Sequence, residues 1–145
     1  MLVKHILLSK ANTGTLTIKP GDTISEAAGI LSEKRIGALI VSETGDTVDG
    51  ILSERDIVRE IGKNGVGCMS DCVRELMTST VVACGPNDNV IRLMSKMSEG
   101  RFRHMPVVEA GKLIGVVSIG DVVKARIDMI EQENAALTDM IHGNV

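Results

Sequence analysis

The sequence predicts a mixed α/β domain of the α+β kind. It would consist of two pseudo-symmetric β-α-β-β-α units packed sheet to sheet, with a short helix before them and a long helix after. Three observations predict this. One stretch occurs twice: Leu16-Thr17-Ile18-Lys19-Pro20-Gly21-Asp22-Thr23-Ile24 is echoed by Val82-Ala83-Cys84-Gly85-Pro86-Asn87-Asp88-Asn89-Val90. Likewise Gly50-Ile51-Leu52-Ser53-Glu54-Arg55-Asp56-Ile57-Val58 returns as Gly115-Val116-Val117-Ser118-Ile119-Gly120-Asp121-Val122-Val123. The echoes also keep register, Pro20 and Pro86 standing 66 residues apart and Asp56 and Asp121 65 apart, with one residue lost near Gly45 and Gly111. A repeat of this period fixes architecture and symmetry together.

The elements follow in order. Val3 to Lys10 forms a short helical turn. A strand then ends at Pro20, and Thr23 to Lys34 is a helix, because Ile24, Ala27, Ala28 and Leu31 recur at helical spacing. Asp22 or Thr23 caps it, supported by Glu26. Ala38 to Val41 is a short apolar strand, Glu43 to Asp46 a turn, Val48 to Leu52 a strand and Ser53 to Ile61 a helix. Gly62-Lys63-Asn64-Gly65-Val66-Gly67 fits neither phosphate-loop pattern and reads as a flexible connector, followed by a short helix over Ser70 to Thr78. In the second unit Val90, Leu93, Met94 and Met97 mark the helix. Met105 to Val108 and Leu113 to Val117 are strands around an Ala110-Gly111 turn, and a long helix runs from Asp121. Strands this short and apolar are buried on both faces, so each unit needs the other to cover its sheet. The repeats are placed at 12–62 and 78–127 of a single module, with a helical extension over 128–145.

Composition excludes several classes. The chain has 145 residues, 43% hydrophobic and 24% charged, enough for one compact module. A formal charge of −3 lacks the basic footprint of a nucleic-acid binder. With no Trp or Tyr and only Phe102, platforms for stacking bases are missing too. No apolar run reaches the length of about 20 residues that spans a membrane, and no cleavable leader is visible. Three cysteines without a paired framework fit reduced thiols and a cytoplasmic setting.

Two units that each close with Gly-φ-φ-Ser-x-x-Asp-φ-φ, where φ is apolar, resemble a tandem pair of cystathionine-β-synthase (CBS) domains, the Bateman module. The stretch Arg101-Phe102-Arg103-His104-Met105-Pro106-Val107-Val108, read on into the second closing motif, is similar to stand-alone two-repeat members. The resemblance covers Leu16 to Arg126 and implies an adenine ligand: AMP, ADP, ATP, S-adenosylmethionine or NAD(H). It implies that Ser53 and Ser118, with freed N–H groups at the next helix start, form an anion site, and that Asp56 and Asp121 accept bonds from ribose hydroxyls. Adenine would bond to backbone at Thr17, Ile18, Gly37 and Ala38 in repeat one and at Val82, Cys84, Arg103 and Met105 in repeat two. Arg55, Thr78 and Gly120 complete the implied set. Ser-x-x-Asp is also an N-capping arrangement, and its duplication is what favours a working nucleotide cleft.

The halves differ. Repeat two carries Arg101, Arg103 and His104 where repeat one has Arg35, Gly37 and Ala38. Arginine's fork suits phosphate oxygens, and the resemblance implies that basic residues here reach toward the middle, where the phosphate ends of the two clefts approach. Arg103 and His104 are thus candidates to serve the Ser53/Asp56 cleft as well as their own. The alternative is a solvated lead-in to a strand. With both clefts filled, a dinucleotide could bridge them.

Cys68 and Cys72 alone do not make a zinc site, Cys84 reads as a small buried hydrophobe, and no catalytic triad can be assembled. Val123, Ile127, Ile130, Asn134, Leu137 and Ile141 alternate as a heptad seam, with Gly143 as the stop, and favour a homodimer. The expectation is therefore an adenine-nucleotide sensor without catalysis, acting on a regulated protein partner. The alternative is a ligand-free dimerisation scaffold.

Overall fold

The computed structural model of the chain describes residues 1–10 and 15–143. The outermost bounds expected for the first repeat and the C-terminal extension lie outside these residues. Helix α1 (Val3–Ser9) precedes strand β1 (Thr17–Ile18), helix α2 (Ile24–Lys34), strands β2 (Ala38–Val41) and β3 (Gly50–Ser53), and helix α3 (Glu54–Asn64). A 3-10 turn (Val66–Ser70) and helix α4 (Val73–Leu76) lead to helix α5 (Val90–Gly100), strands β4 (His104–Glu109) and β5 (Lys112–Ser118), and helix α6 (Ile119–Ile141).

One sheet has the order β1-β2-β3, β1 parallel to β2 and β2 antiparallel to β3. The other is the antiparallel pair β4-β5. Each sheet has its own core. Ile18, Ile24, Ala27, Leu31, Leu39, Val41, Leu52 and Ile57 pack together in the first unit. Val90, Leu93, Met97, Met105, Val107, Val117 and Val122 do so in the second. Ile40 leaves the opposite face of β2 and is also buried, as strand alternation requires of a sheet covered on both sides.

The lead-in helices are exchanged. Val3 and Ile6 of α1 belong to the core of the second unit, tied there by Val3 N–H to the Asp88 carbonyl (3.0 Å) and Lys4 N–H to the Pro86 carbonyl (2.8 Å). Val73 of α4 belongs to the core of the first, with its N–H on the Asp22 carbonyl (2.8 Å). The bridges Leu2 to Asn89 and Cys72 to Thr23 repeat one another. Each unit thus borrows the helix that precedes its partner.

Two expectations are corrected. The Gly62–Gly67 connector is ordered: α3 continues to Asn64, Gly65 turns at φ +82°, and the 3-10 turn seats Cys68 in the interior. The first strand of repeat two shrinks to one bridge, Cys84 to Val107. Pro106 stands where repeat one has Ile40, and proline has no N–H to give the ladder. Thr23 proves to be the cap of α2, its Oγ1 accepting the Glu26 N–H at 3.1 Å.

Candidate functional site

The site is built on the start of α3. Ser53 ends β3 in an extended conformation; its Oγ accepts the Asp56 N–H (3.2 Å), and Asp56 Oδ2 accepts the Ser53 N–H (2.9 Å). This reciprocal box satisfies two of the four amides a helix start leaves free, the Gly37 carbonyl accepts a third from Glu54 (2.9 Å), and the carboxylate is fixed beside the remaining Arg55 N–H. Ser118 and Asp121 repeat the arrangement at α6, at 3.1 Å and 2.9 Å. The capping reading is therefore realised in both halves, and the geometry that caps also presents a carboxylate at the strand end.

Beside Asp56 lies a cleft of about 710 Å³, within the range of small-molecule sites. The first repeat contributes Gly37, Ile51, Ser53, Glu54, Arg55, Asp56 and Arg59. The second contributes Thr78, Thr80, Val81, Val82 and the run from Gly100 to His104, with Ile119. Four arginines thus meet two carboxylates, an excess of positive charge. Arg101 takes the left-handed conformation at the end of α5 (φ +55°), as its counterpart Arg35 does at the end of α2 (φ +54°). Gly100 is required beside it, because a Cβ there would run into the Phe102 ring.

His104 is half-buried on β4, facing Gly37 across the seam. Burial lowers its pKa below the ordinary value of 6.5; Glu54 and Asp121 oppose the shift, and Lys10 and Arg103 add to it. Burial would raise Asp121, but the Ser118 N–H and Lys10 outweigh it and hold the carboxyl below 3.8.

Of the residues singled out in the sequence, the fold gathers Gly37, Ser53, Arg55, Asp56, Thr78, Val82, Arg101, Arg103 and His104 around this cleft. It places Ser118, Gly120 and Asp121 at the equivalent position of repeat two. Thr17 and Ala38 pair within the first sheet, to Ile40 and Ser53, and the Ile18 side chain is in the core. Cys84 and Met105 turn into the second core. The Cys84 backbone is spent on Pro106 (3.0 Å) and Val108 (2.8 Å), and burial pushes its thiol up to about 12, which leaves it inert. The carbonyl of Val82, by contrast, has no backbone partner among the described residues. Ile51, Glu54, Arg59, Thr80, Val81, Gly100, Phe102 and Ile119 also line the cleft, though the sequence did not single them out as ligand-binding residues. Only the chain's sole aromatic residue, set between two arginines, carried a signal.

Among the described residues no group of three or more His, Cys, Asp and Glu side chains is placed to hold a metal. No helix among them is long and apolar enough to cross a membrane.

The CBS domain profile matches residues 3–63 and 73–128. The mitochondrial CBS domain-containing protein CBSX3 of Arabidopsis thaliana is 35% identical over 126 residues, 84% of this chain and 61% of its own length. The Bacillus subtilis protein YhcV is 30% identical over 92% of this chain and 93% of its own. Among solved structures, the CBS-domain protein ATU1752 from Agrobacterium tumefaciens is 43% identical, with a TM-score of 0.82 over 87% of this chain and 99% of its own. The CBS domain pair of MJ0100, solved with 5-methylthioadenosine and S-adenosyl-L-methionine, is 25% identical, with a TM-score of 0.77 over 89% and 98%. PAE2072 from Pyrobaculum aerophilum, complexed with AMP, is also 25% identical, with a TM-score of 0.72 over 83% and 89%.

Proposed function

The chain belongs to the CBS domain family, and from that premise we propose that it is a regulatory module binding an adenine nucleotide (AMP, ATP or NAD(H)) in the cleft between its repeats, without catalysis of its own. The observation that carries the reading is the meeting of the Ser53–Asp56 box with Arg101, Arg103 and His104 around one cleft. Asp56 accepts the ribose hydroxyls. Adenine lies among Ile51, Val82 and Ile119, its amino group donating to the Val82 carbonyl that Pro106 leaves free. The α3 start and the arginines take the phosphates, where charge-assisted bonds are strongest. Two structural neighbours solved with AMP or with S-adenosyl-L-methionine support an adenosine ligand.

The ligand touches both repeats, so it favours whichever relative arrangement closes the cleft. A regulated protein partner reads that arrangement through its own differential affinity. A second copy of the chain pairs along the exposed apolar seam of α6, which transmits the change. Calorimetry with AMP, ATP and NADH tests the reading. Saturable binding that Asp56→Ala weakens is expected. Absence of binding to every adenine ligand would leave the ligand-free dimerisation scaffold.

A further inference from the structure

The two aspartates of the repeat stand in the same capping box but have different neighbours. Asp121 Oδ2 lies 3.0 Å from Lys10 Nζ, which also donates to the Val116 carbonyl at 2.9 Å. Val116 is the counterpart of Ile51, whose carbonyl accepts the Thr78 backbone N–H at 2.9 Å, and Thr78 lines the cleft of Asp56. In the second half, therefore, a lysine ammonium fills the place that a backbone amide fills in the first. Lys10 follows directly on α1, whose Val3 and Ile6 are locked into the core of the second unit. The ammonium is delivered by an anchored element, with a short reach to its two acceptors. At Asp56 the neighbouring cation is Arg59, Nη1 at 3.5 Å from Oδ1, on a side chain 62% exposed and free to turn into water.

A ribose needs a carboxylate free to accept its hydroxyls and room at the strand end. An ammonium held on both Asp121 Oδ2 and the Val116 carbonyl fills the strand end and pairs the carboxylate's charge, leaving only Oδ1 to accept, so a ribose could enter only by displacing it. We infer that Lys10 is a built-in occupant of the Asp121 cleft: the chain takes one adenosine ligand, beside Asp56, and takes a second only when Lys10 is replaced. This rests on the nucleotide reading above and adds stoichiometry and its determinant.

Equilibrium dialysis of the full chain against AMP tests it. One AMP per wild-type chain is expected, two per chain for Lys10→Met, and one again for Lys10→Met combined with Asp121→Ala. Lys10→Arg keeps the charge and is expected to stay at one. Lys10→Gln serves if Lys10→Met fails to fold, as judged by circular dichroism. Two AMP per wild-type chain, or one per folded Lys10→Met chain, overturns the role of Lys10 and leaves the nucleotide site standing. No AMP, ATP or NADH on either chain overturns the nucleotide reading itself.

Discussion

His104 occupies space that Gly37 leaves open: a Cβ on Gly37 would stand 3.1 Å from the imidazole Cε1 and 3.3 Å from Nε2. The repeat has no mirror image of this contact, because the counterpart of His104 is Ala38 and that of Gly37 is Arg103. The Glu54 Oε1 lies 3.8 Å from the same point. A missing side chain in repeat one thus lets a histidine from repeat two reach the wall of the Asp56 cleft. The broken symmetry and the candidate site coincide.

Gly37→Ala should therefore act through His104. The added methyl forces the imidazole aside by a few tenths of an ångström, which costs little stability but narrows the cleft. AMP affinity should fall several-fold in Gly37→Ala, and His104→Ala in the same chain should remove the steric part of that loss. Residues in contact typically couple by about 0.5–3 kcal/mol in a double-mutant cycle, measurable by thermal unfolding and by calorimetry. Strict additivity would show that the two residues do not interfere.

The chain should lose stability as pH falls from neutral. Burial depresses the folded pKa of His104 below 6.5, so the unfolded chain binds a proton that the native chain resists. Its contribution is complete above 6.5 and is lost as pH drops through the depressed value. Asp121, also depressed, adds a second loss that begins only below its ordinary 3.8. Melting temperature against pH should show both steps, and His104→Gln should flatten the upper one alone.

Much of this was legible in the sequence, because a repeat constrains twice. The Ser53 and Ser118 boxes, the helix caps and the cationic run before β4 follow from local chemistry that residue types announce. The long-range contacts escaped. Nothing in Val3 or Val73 says that each lead-in helix packs on the other unit, so the cleft combines Asp56 with Val82 rather than with Thr17 and Ile18. Lys10 reads as an ordinary helix-end cation until the fold sets it against Asp121, 111 residues away. The glycine run at 62–67 suggested flexibility, yet its 3-10 turn is pinned by the burial of Cys68.

Capping and binding should separate between the repeats. Ser53→Ala and Ser118→Ala each remove an N-cap of the same geometry, and each should cost about 0.5–2 kcal/mol of stability. Only the first should weaken AMP. Asp56→Asn should lower affinity by about 10- to 100-fold, the scale of a hydrogen bond to a charged acceptor, about 1.5–3 kcal/mol. Equal losses of affinity in Ser53→Ala and Ser118→Ala, by calorimetry, would mean that both clefts bind.

Pro106→Val should repair the ladder that proline interrupts. A donor at this position can reach the Val82 carbonyl, lengthening the single Cys84–Val107 bridge into a strand. Hydrogen exchange at the residue 106 amide would then show protection. Adenine would lose its acceptor, so AMP affinity should fall while stability holds or rises. Unchanged affinity with a protected amide would place adenine elsewhere in the cleft.

The seam of α6 makes the last prediction. Val122 and Ala125 anchor the helix in the core of repeat two. Beyond Ile130 the helix runs past its own domain, leaving Leu137 55% and Ile141 80% exposed on the seam that also carries Asn134. Burying such a side chain is worth about 1.5–3 kcal/mol, and a matching seam on a second copy is the surface that the heptad spacing fits. Light scattering at micromolar concentration should give a dimer for the wild type and a monomer for Leu137→Asp combined with Ile141→Asp. Neither position lines the cleft, so a monomer that still binds AMP would show that pairing is separable from binding. A wild-type monomer would remove the dimer from the mechanism and leave the partner to read the cleft of a single chain.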